Sequence, residues 1–172
     1  MAKTSGGVRK LKTGSREYDS RKSEVGEMIA SGLYSSVDFY SSGGGYVAIE
    51  KSSARHKPEE IDAARVLAQN GYKVVLKNEA GNATTVDGYL FKTSFEQRTP
   101  TKNSATTIKN ALGHAKNKRA DIAVIYSINR MFSRESVDEG LRMFETQSKY
   151  RFKKIIVVSS LGNIHKHKHN DE

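Results

Sequence analysis

The chain has 172 residues and a formal net charge of +10 at pH 7, with an estimated isoelectric point near 9.7. This length fits one domain, or one domain with an extension, and is enough to bury a core. The absence of cysteine excludes disulfides and thiolate metal sites. The basic charge favours a polyanionic partner. The sequence shows neither a membrane-spanning apolar stretch nor the apolar core of a signal peptide. We therefore expect a cytoplasmic protein, or one that is delivered into a target cell or packaged in a particle.

The first 24 residues are rich in glycine, serine, lysine and arginine and contain hardly any apolar side chain. This composition predicts a flexible, disordered basic arm over residues 1–24. Such an arm either binds phosphates without sequence preference or is a solvated tail. Apolar residues recur at helical spacing across residues 24–40, with a break at Gly32, and predict a short amphipathic helix there.

A glycine-rich segment, residues 41–45, separates that predicted helix from a predicted strand at residues 46–50. It lacks the lysine and the helix start of a phosphate-binding P-loop, so it is interpreted as a linker or a hairpin turn. The next helix is predicted to begin at Lys57 and Pro58, because Pro and acidic residues suit a first helical turn. Gly71 is expected to end this helix, and residues 72–76 then predict a strand.

The two strands predicted next, residues 86–91 and 93–98, bring charged side chains together. Side chains repeat every two residues in a strand, so Glu96 and Arg98 point to the same face. Asp87 can face the same place from the neighbouring strand. Two carboxylates held close together repel each other unless a cation lies between them. Where phosphates are handled, that cation is usually Mg²⁺, which can activate water and neutralise a leaving oxygen.

Four segments carry a family resemblance: Glu60-Ile-Asp-Ala-Ala-Arg-Val-Leu67, Asn-Gly-Tyr-Lys-Val-Val, Val-Asp87-Gly and Phe-Glu96-Gln-Arg98. Together they resemble the PD-(D/E)xK restriction-endonuclease-like superfamily over roughly residues 56–127. The pattern is most similar to the nuclease toxin domains at the C-termini of contact-dependent growth inhibition proteins. The resemblance implies catalytic roles for Glu60, Asp87, Glu96 and Arg98, with the three acids binding Mg²⁺ or Mn²⁺. It also implies tRNA or DNA as the substrate and an immunity protein as a possible partner.

The chain departs from the family pattern in two places. The pattern expects lysine where this sequence has Arg98, and arginine cannot release a proton. The later helix lacks the expected glutamine, and its nearest candidates are Lys116 and Lys118. Two alternatives therefore stay open. In one, Glu96 and Arg98 form an ion pair on a solvated face and Asp87 belongs to a turn. In the other, a decayed nuclease fold belongs to a non-catalytic nucleic-acid-binding or structural protein of a phage or mobile element. A protein-interaction module with an acidic partner is a third possibility.

Basic side chains are dense around the proposed site, with seven Lys or Arg and one acid between positions 92 and 119. A helix is predicted over residues 105–117, with its apolar face inward. The basic residues are expected either to bind nucleic-acid phosphates or to form a solvated helix face. The predicted phosphate-binding residues are Lys92, Lys102, Lys109, Lys116, Lys118 and Arg119.

The remaining sequence predicts a β-α-β unit: a strand at residues 121–126, a helix at 133–147 and a strand at 153–159. His and Lys alternate in the last segment, residues 165–172, which is interpreted as a solvated tail or, less simply, as a transition-metal site. The overall prediction is an α/β domain over residues 25–164. Its central mixed sheet is flanked by helices and is of the restriction-endonuclease-like type.

Overall fold

A computed structural model describes residues 7–51, 56–78 and 86–170. Within these residues the chain forms one mixed sheet of eight strands with four helices. This confirms the predicted α/β class with a mixed central sheet flanked by helices. The elements are α1 (Arg16–Ser31), β1 (Tyr34–Phe39), β2 (Tyr46–Glu50), α2 (Pro58–Gln69), β3 (Lys73–Leu76), β4 (Gly88–Leu90), β5 (Thr93–Arg98), α3 (Ala105–Asn117), β6 (Ile122–Ser127), α4 (Arg134–Gln147), β7 (Lys154–Ser159) and β8 (Ile164–His167).

The strands lie in the sheet in their order along the chain, from β1 to β8. The pairs β2–β3, β5–β6 and β6–β7 are parallel, and each is connected through a helix. The other neighbours are antiparallel. The predicted β-α-β unit is thus confirmed as β6-α4-β7. Because β5, β6 and β7 run in the same direction, their carboxyl ends lie at one edge of the sheet.

The helices divide between the two faces of the sheet, and this division decides where the charged strand residues point. Helix α2 packs on one face, in a core that includes Phe95 of β5 and Val124 of β6. Helices α3 and α4 pack on the other face, against Ala123 and Ile125 of β6. Glu96 is opposite Ala123 in the register of β5 and β6. The Glu96 side chain is therefore on the face that α3 covers.

The predicted basic arm is wrong from residue 16 onward, because α1 begins at Arg16. The Ser15 side chain accepts a hydrogen bond from the backbone N–H of Tyr18, which caps the helix. Tyr18 and Val25 are buried, and the Tyr18 ring packs edge-on against Phe39. These two buried side chains thus hold a helix whose other residues are mostly charged or polar. Residues 1–6 of the predicted arm lie outside the described residues.

The helix predicted over residues 24–40 is also wrong in its second half. Gly32 adopts a left-handed conformation with φ of 73° and ends α1, and the chain continues as strand β1. Residues 41–45 form the turn between β1 and β2, as the hairpin interpretation predicts. Position 43 requires glycine for two reasons. Its φ is 95°, and an added Cβ would lie 2.0 Å from the Gln69 carbonyl oxygen.

The predicted solvated tail is wrong, since β8 pairs antiparallel with β7 and the segment continues onto α4. The His169 ring stacks on Phe152, with 6.0 Å between ring centroids and an interplanar angle of 7°. Its Nε2 accepts a hydrogen bond from the Phe152 backbone N–H, and its Nδ1 contacts Glu145 at 2.8 Å. His167 lies 3.8 Å from Asp138. These histidines therefore attach the chain end to α4, while residues 171–172 lie outside the described part of the chain.

The contact between Glu145 and the chain end predicts a pH-dependent stability. Burial alone would raise the pKa of Glu145, but hydrogen bonds from the Asn170 backbone, His169 and the Asn170 side chain outweigh it and lower this pKa. An acid with a lowered folded-state pKa stabilises the fold above its unfolded-state pKa, and this contribution is lost as the pH falls through the folded-state value. We expect Glu145→Gln to reduce the unfolding free energy at pH 7 by about 1–3 kcal/mol. Thermal unfolding from pH 7 to pH 3 measures the difference, which should shrink below about pH 4.

Glu139→Gln is the matched control for this experiment, because Glu139 is on the same helix, is half exposed and pairs with Arg142. Loss of this exposed ion pair in Glu139→Gln should change Tm very little. Equal Tm values for Glu145→Gln and the unaltered protein at pH 7 would contradict the proposed role of Glu145.

None of the helices in the described ranges combines the length and apolarity that crossing a membrane requires.

Candidate active site

A solvent-open cavity of about 520 Å³ lies where the carboxyl end of β5, the start of β4, the first turn of α2 and one side of α3 meet. It brings together all four residues predicted as catalytic, together with one of the predicted phosphate-binding residues. The lining residues are Lys57, Glu59, Glu60, Asp87, Glu96, Gln97, Arg98, Thr99, Pro100, Thr101, Thr107, Asn110, Ala111, His114 and Lys118.

Glu96 is the most deeply buried charged group in this cavity, with only 2% of its surface exposed. Its Oε2 lies 3.5 Å from Lys118 Nζ and 3.8 Å from Arg98 Nη1. Its Oε1 is buried and has no hydrogen-bond partner. Burial raises the pKa of Glu96, although Lys118, Arg98 and the Asp87 backbone act in the opposite direction. A solvated ion pair between Glu96 and Arg98, one of the alternatives from the sequence, does not fit this burial.

Asp87 is held beside Glu96 by the β4–β5 hairpin. Gly88 is opposite Phe95 in the antiparallel register, so Asp87 comes next to Glu96 when the register continues by one residue. The Asp87 side chain is buried, and its Oδ2 accepts a hydrogen bond from the Gln97 backbone N–H at 2.7 Å. Gly88 is required here because a Cβ would lie 1.9 Å from the Val75 carbonyl oxygen of β3. The predicted period-two geometry thus brings Asp87, Glu96 and Arg98 to one cavity.

Glu60 reaches the cavity from the first turn of α2, which begins at Pro58 as predicted. Its Oε1 is 3.0 Å from His56 Nδ1, and both side chains are largely buried. Across residues 7–51, 56–78 and 86–170, no three His, Cys, Asp or Glu side chains are grouped closely enough to form a metal-binding cluster. Glu60 therefore lines the same cavity as Asp87 and Glu96 without joining them in one compact ligand set.

The donor set nevertheless fits a hard divalent cation. Mg²⁺ is commonly bound by one or two carboxylates, with water and substrate phosphate oxygens completing its coordination. Asp87 and Glu96 provide two neighbouring carboxylates at the wall of an open cavity. The unpartnered Oε1 of Glu96 is a buried acceptor that a cation would satisfy. Such an orphaned carboxylate oxygen is costly in a structural ion pair and useful in a metal site.

Helix α3 contributes a polar stripe to the cavity, and only Lys118 of this stripe is among the predicted site residues. Thr107, Asn110, His114 and Lys118 recur at intervals of three or four residues and all line the cavity. His114 was not predicted. Its pKa is lowered by partial burial, by Arg98 and by Lys118. Its spacing of four residues from Lys118 on a predicted helix is the signal that could have identified it.

The predicted phosphate-binding residues do not form one surface. Lys118 lines the cavity, whereas Lys109 and Lys116 line a second groove between α3 and α4. Lys92 lies in a different pocket, beside Phe91 and residues of α1. The remaining two, Lys102 and Arg119, are exposed and line neither the cavity nor the groove.

Among solved structures, the chain is similar to a CdiA-CT/CdiI toxin and immunity complex from Burkholderia pseudomallei. The two chains share 21% identity with a TM-score of 0.48, and the alignment covers 70% of this chain and 98% of the other. No family model and no curated protein matches the sequence. A similarity at this level assigns neither a family nor an activity, so the functional argument depends on the cavity itself.

Proposed function

We propose that the protein is a metal-dependent nuclease that hydrolyses phosphodiester bonds in nucleic acid at the cavity around Glu96. The observation that carries this proposal is the buried Glu96 carboxylate, which has one unpartnered oxygen and lies next to Asp87 and between two cationic side chains. Acids that are desolvated and paired with specific charges in a cavity are candidates for functional sites. The basic net charge of the chain is consistent with a polyanionic substrate.

The residues have separate roles in this proposal. Asp87 and Glu96 would hold Mg²⁺ or Mn²⁺, and Glu60 would add a third carboxylate to the wall of the cavity from α2. The bound metal supplies Lewis acidity at the phosphate and lowers the pKa of a water molecule. Arg98 is 39% exposed, so its guanidinium can reach a substrate phosphate while remaining near Glu96. Its planar fork of donors suits two phosphate oxygens and stabilises the charge that develops there.

Lys118 and His114 act from α3 on the other side of the cavity. Lys118 neutralises Glu96 and contributes positive charge close to the place where a phosphate would lie. The lowered pKa of His114 favours its neutral form, in which one ring nitrogen can accept a hydrogen bond from a hydroxyl or a water molecule. A substrate phosphate in this cavity would thus contact cationic donors from both β5 and α3.

The proposed substrate is tRNA or DNA, and the proposed context is a toxin that is delivered into a target cell and neutralised by an immunity protein. These points follow from the sequence resemblance over residues 56–127. The cavity geometry supports them only through its chemistry: acids that suit a metal ion, and cations that suit phosphates. The cavity presents the same groups to RNA and to DNA.

A cleavage assay tests the proposal. The purified protein is incubated with total tRNA or plasmid DNA in Mg²⁺ or Mn²⁺, and in parallel with EDTA. We expect cleavage of one substrate class that EDTA abolishes and that added metal restores. Cleavage at an undiminished rate in EDTA would contradict a metal-dependent site, and absence of cleavage with either nucleic acid would contradict nuclease activity.

A second candidate is a non-catalytic nucleic-acid-binding protein on the same fold. The observation that favours it is the neutralisation of Glu96 Oε2 by Lys118 and Arg98, combined with arginine at the position where the family pattern has lysine. Asp87→Ala separates the two candidates. In a nuclease this variant loses cleavage and retains nucleic-acid binding, whereas in a binding protein the unaltered chain already binds without cleaving.

A further inference from the structure

A groove of about 380 Å³ runs between α3 and α4 next to the cavity around Glu96. Asn110 and His114 line both the cavity and this groove, so the two concavities share one wall on α3. The groove is lined by Lys109, Asn110, Gly113, His114, Lys116, Asn117, Phe144, Gln147 and Ser148. Among these described lining residues there are two lysines and no acid.

We propose that this α3/α4 groove binds the nucleotides that flank the cleaved bond, so that the substrate strand crosses α3 between the cavity and the groove. This inference rests on the proposed function for the identity of the strand, and it extends that function to the path of the substrate. Lys109 and Lys116 would contact successive phosphates, and the amides of Asn117 and Gln147 offer uncharged hydrogen-bonding groups along the same path. The lining suits a polyanion with no preference for base sequence.

The absence of acids distinguishes this groove from two other concave surfaces of similar size on the described chain. The pocket that contains Lys92 also contains Glu24 and Glu50, and the groove beside Arg9 contains Glu17. Glu24 and Glu50 offset the lysines of the first pocket, whereas the groove beside Arg9 stays positive because Arg9, Arg21 and Lys154 outnumber Glu17. The α3/α4 groove combines Lys109 and Lys116 with neutral groups only and opens next to Lys118 of the cavity. A strand that leaves the cavity therefore meets further positive charge in this direction.

Gly113 lies on the groove side of the shared wall on α3. It lies one residue before His114, and a Cβ placed on it would have no atom within 4 Å. The absence of a side chain there leaves this part of the groove open. Gly140 of α4 is different, because a Cβ there would lie 2.6 Å from the Ile108 side chain, so its glycine is explained by helix packing. A bulky residue at position 113 would extend into open space and block the crossing without disturbing the core.

Gly26 of α1 provides a matched control for that substitution. It is also in a helix, and a Cβ placed on it has no atom within 4 Å either. An open glycine therefore does not by itself indicate a binding site. Gly113→Trp and Gly26→Trp make the same change in equivalent helical surroundings, and only the first is next to the α3/α4 groove. A difference between the two variants reports on the groove rather than on the substitution.

The first test measures binding of a fluorescein-labelled single-stranded oligonucleotide of about 20 nucleotides by anisotropy, in EDTA and from 50 to 300 mM KCl. Lys109→Ala/Lys116→Ala should bind at least about 10-fold more weakly at the lowest salt. Its slope of log Kd against log salt should fall by about 1.4, because each phosphate contact on a single strand contributes about 0.7. The control Lys51→Ala/Lys168→Ala removes the same charge at exposed positions that line neither concavity. Equal weakening of the two double variants would overturn the inference.

The second test compares cleavage of the same oligonucleotide with hydrolysis of bis(p-nitrophenyl) phosphate, which is too small to reach the groove. Gly113→Trp should lower oligonucleotide cleavage about 10-fold or more and leave hydrolysis of the small diester unchanged, whereas Gly26→Trp should change neither. Equal oligonucleotide cleavage by both tryptophan variants would overturn the inference. If the unaltered protein cleaves neither compound, the proposed nuclease activity fails. Anisotropy then tests the proposed groove on its own. Weaker oligonucleotide binding by Gly113→Trp than by Gly26→Trp supports the proposal, and equal binding overturns it.

Discussion

Glu96→Gln is expected to lower the rate of nucleic-acid cleavage by about 100- to 1000-fold while raising the Tm of the protein at pH 7. The loss of activity follows because the variant removes the negative charge that would hold the metal. Removing a single preorganised electrostatic group from an active site commonly has an effect of this size. Glutamine has nearly the same shape, so the cavity walls formed by Lys118 and Arg98 should stay in place.

The gain in stability follows from the burial of Glu96. Its pKa is raised in the folded state, so the protonated form is favoured there. An acid with a raised folded-state pKa is fully compatible with the fold below its unfolded-state pKa, and ionisation destabilises the fold as the pH rises through the folded-state value. Lys118 and Arg98 both reach solvent, with 24% and 39% of their side chains exposed, so they tolerate the loss of their partner. Glutamine removes the cost of ionisation at pH 7.

Thermal unfolding at pH 7 and at pH 4, together with initial cleavage rates, measures both effects. The Tm advantage of Glu96→Gln should be present at pH 7 and should disappear near pH 4. Glu27→Gln on the exposed surface of α1 removes the same charge away from the cavity and should leave both quantities nearly unchanged. A substitution that raises Tm while it lowers the cleavage rate is expected at a functional site. A lowered Tm with full activity would instead make Glu96 a structural residue.

Gly88→Ala is expected to destabilise the protein by about 3 kcal/mol, because the added methyl group would lie 1.9 Å from the backbone carbonyl of Val75. A backbone atom in a central strand cannot turn aside as a flexible side chain can, so β3 and β4 must separate. For a chain of this size the change corresponds to a fall in Tm of about 6–12 °C. Asp87 immediately precedes Gly88, so the same displacement should lower cleavage about 100-fold.

Gly26→Ala is the control for this prediction, since a Cβ at Gly26 has open space around it. Alanine in an exposed helix should stabilise the protein by about 0.5–1 kcal/mol relative to glycine. Thermal unfolding of both variants, with cleavage rates measured well below the lower Tm, separates loss of fold from displacement of Asp87. An unchanged Tm for Gly88→Ala would contradict the requirement for glycine at this position.

Much of the fold follows from local sequence patterns. Helices α2, α3 and α4 have apolar faces at helical spacing and clear first turns, and β6 and β7 are continuous apolar runs that can only be buried. The prediction from the sequence failed where tertiary contacts, and not local composition, determine the structure. Helix α1 depends on Tyr18 and Val25 within a charged segment. Strand β8 depends on pairing with β7 and on the ring stacking of His169 with Phe152.

The residues of the candidate site also divide into those that local patterns predict and those that depend on tertiary packing. Period-two alternation is enough to place Glu96 and Arg98 together, and the hairpin register adds Asp87. The position of Lys118 against Glu96 depends on how α3 packs over the sheet, and no local pattern contains that information. Lys92 was misplaced because it occupies the β4–β5 turn with a positive φ of 70°, which directs it away from the strand face that Glu96 uses.

The most direct measurement is the initial rate of nucleic-acid cleavage by the unaltered protein and by Glu96→Gln, side by side in Mg²⁺ and in EDTA. The proposed site predicts cleavage by the unaltered protein in Mg²⁺ alone, and a rate about 100- to 1000-fold lower for Glu96→Gln under the same conditions. Equal rates for the two proteins in Mg²⁺, or cleavage that persists in EDTA, would contradict the assignment of this cavity as a metal-dependent phosphodiesterase site.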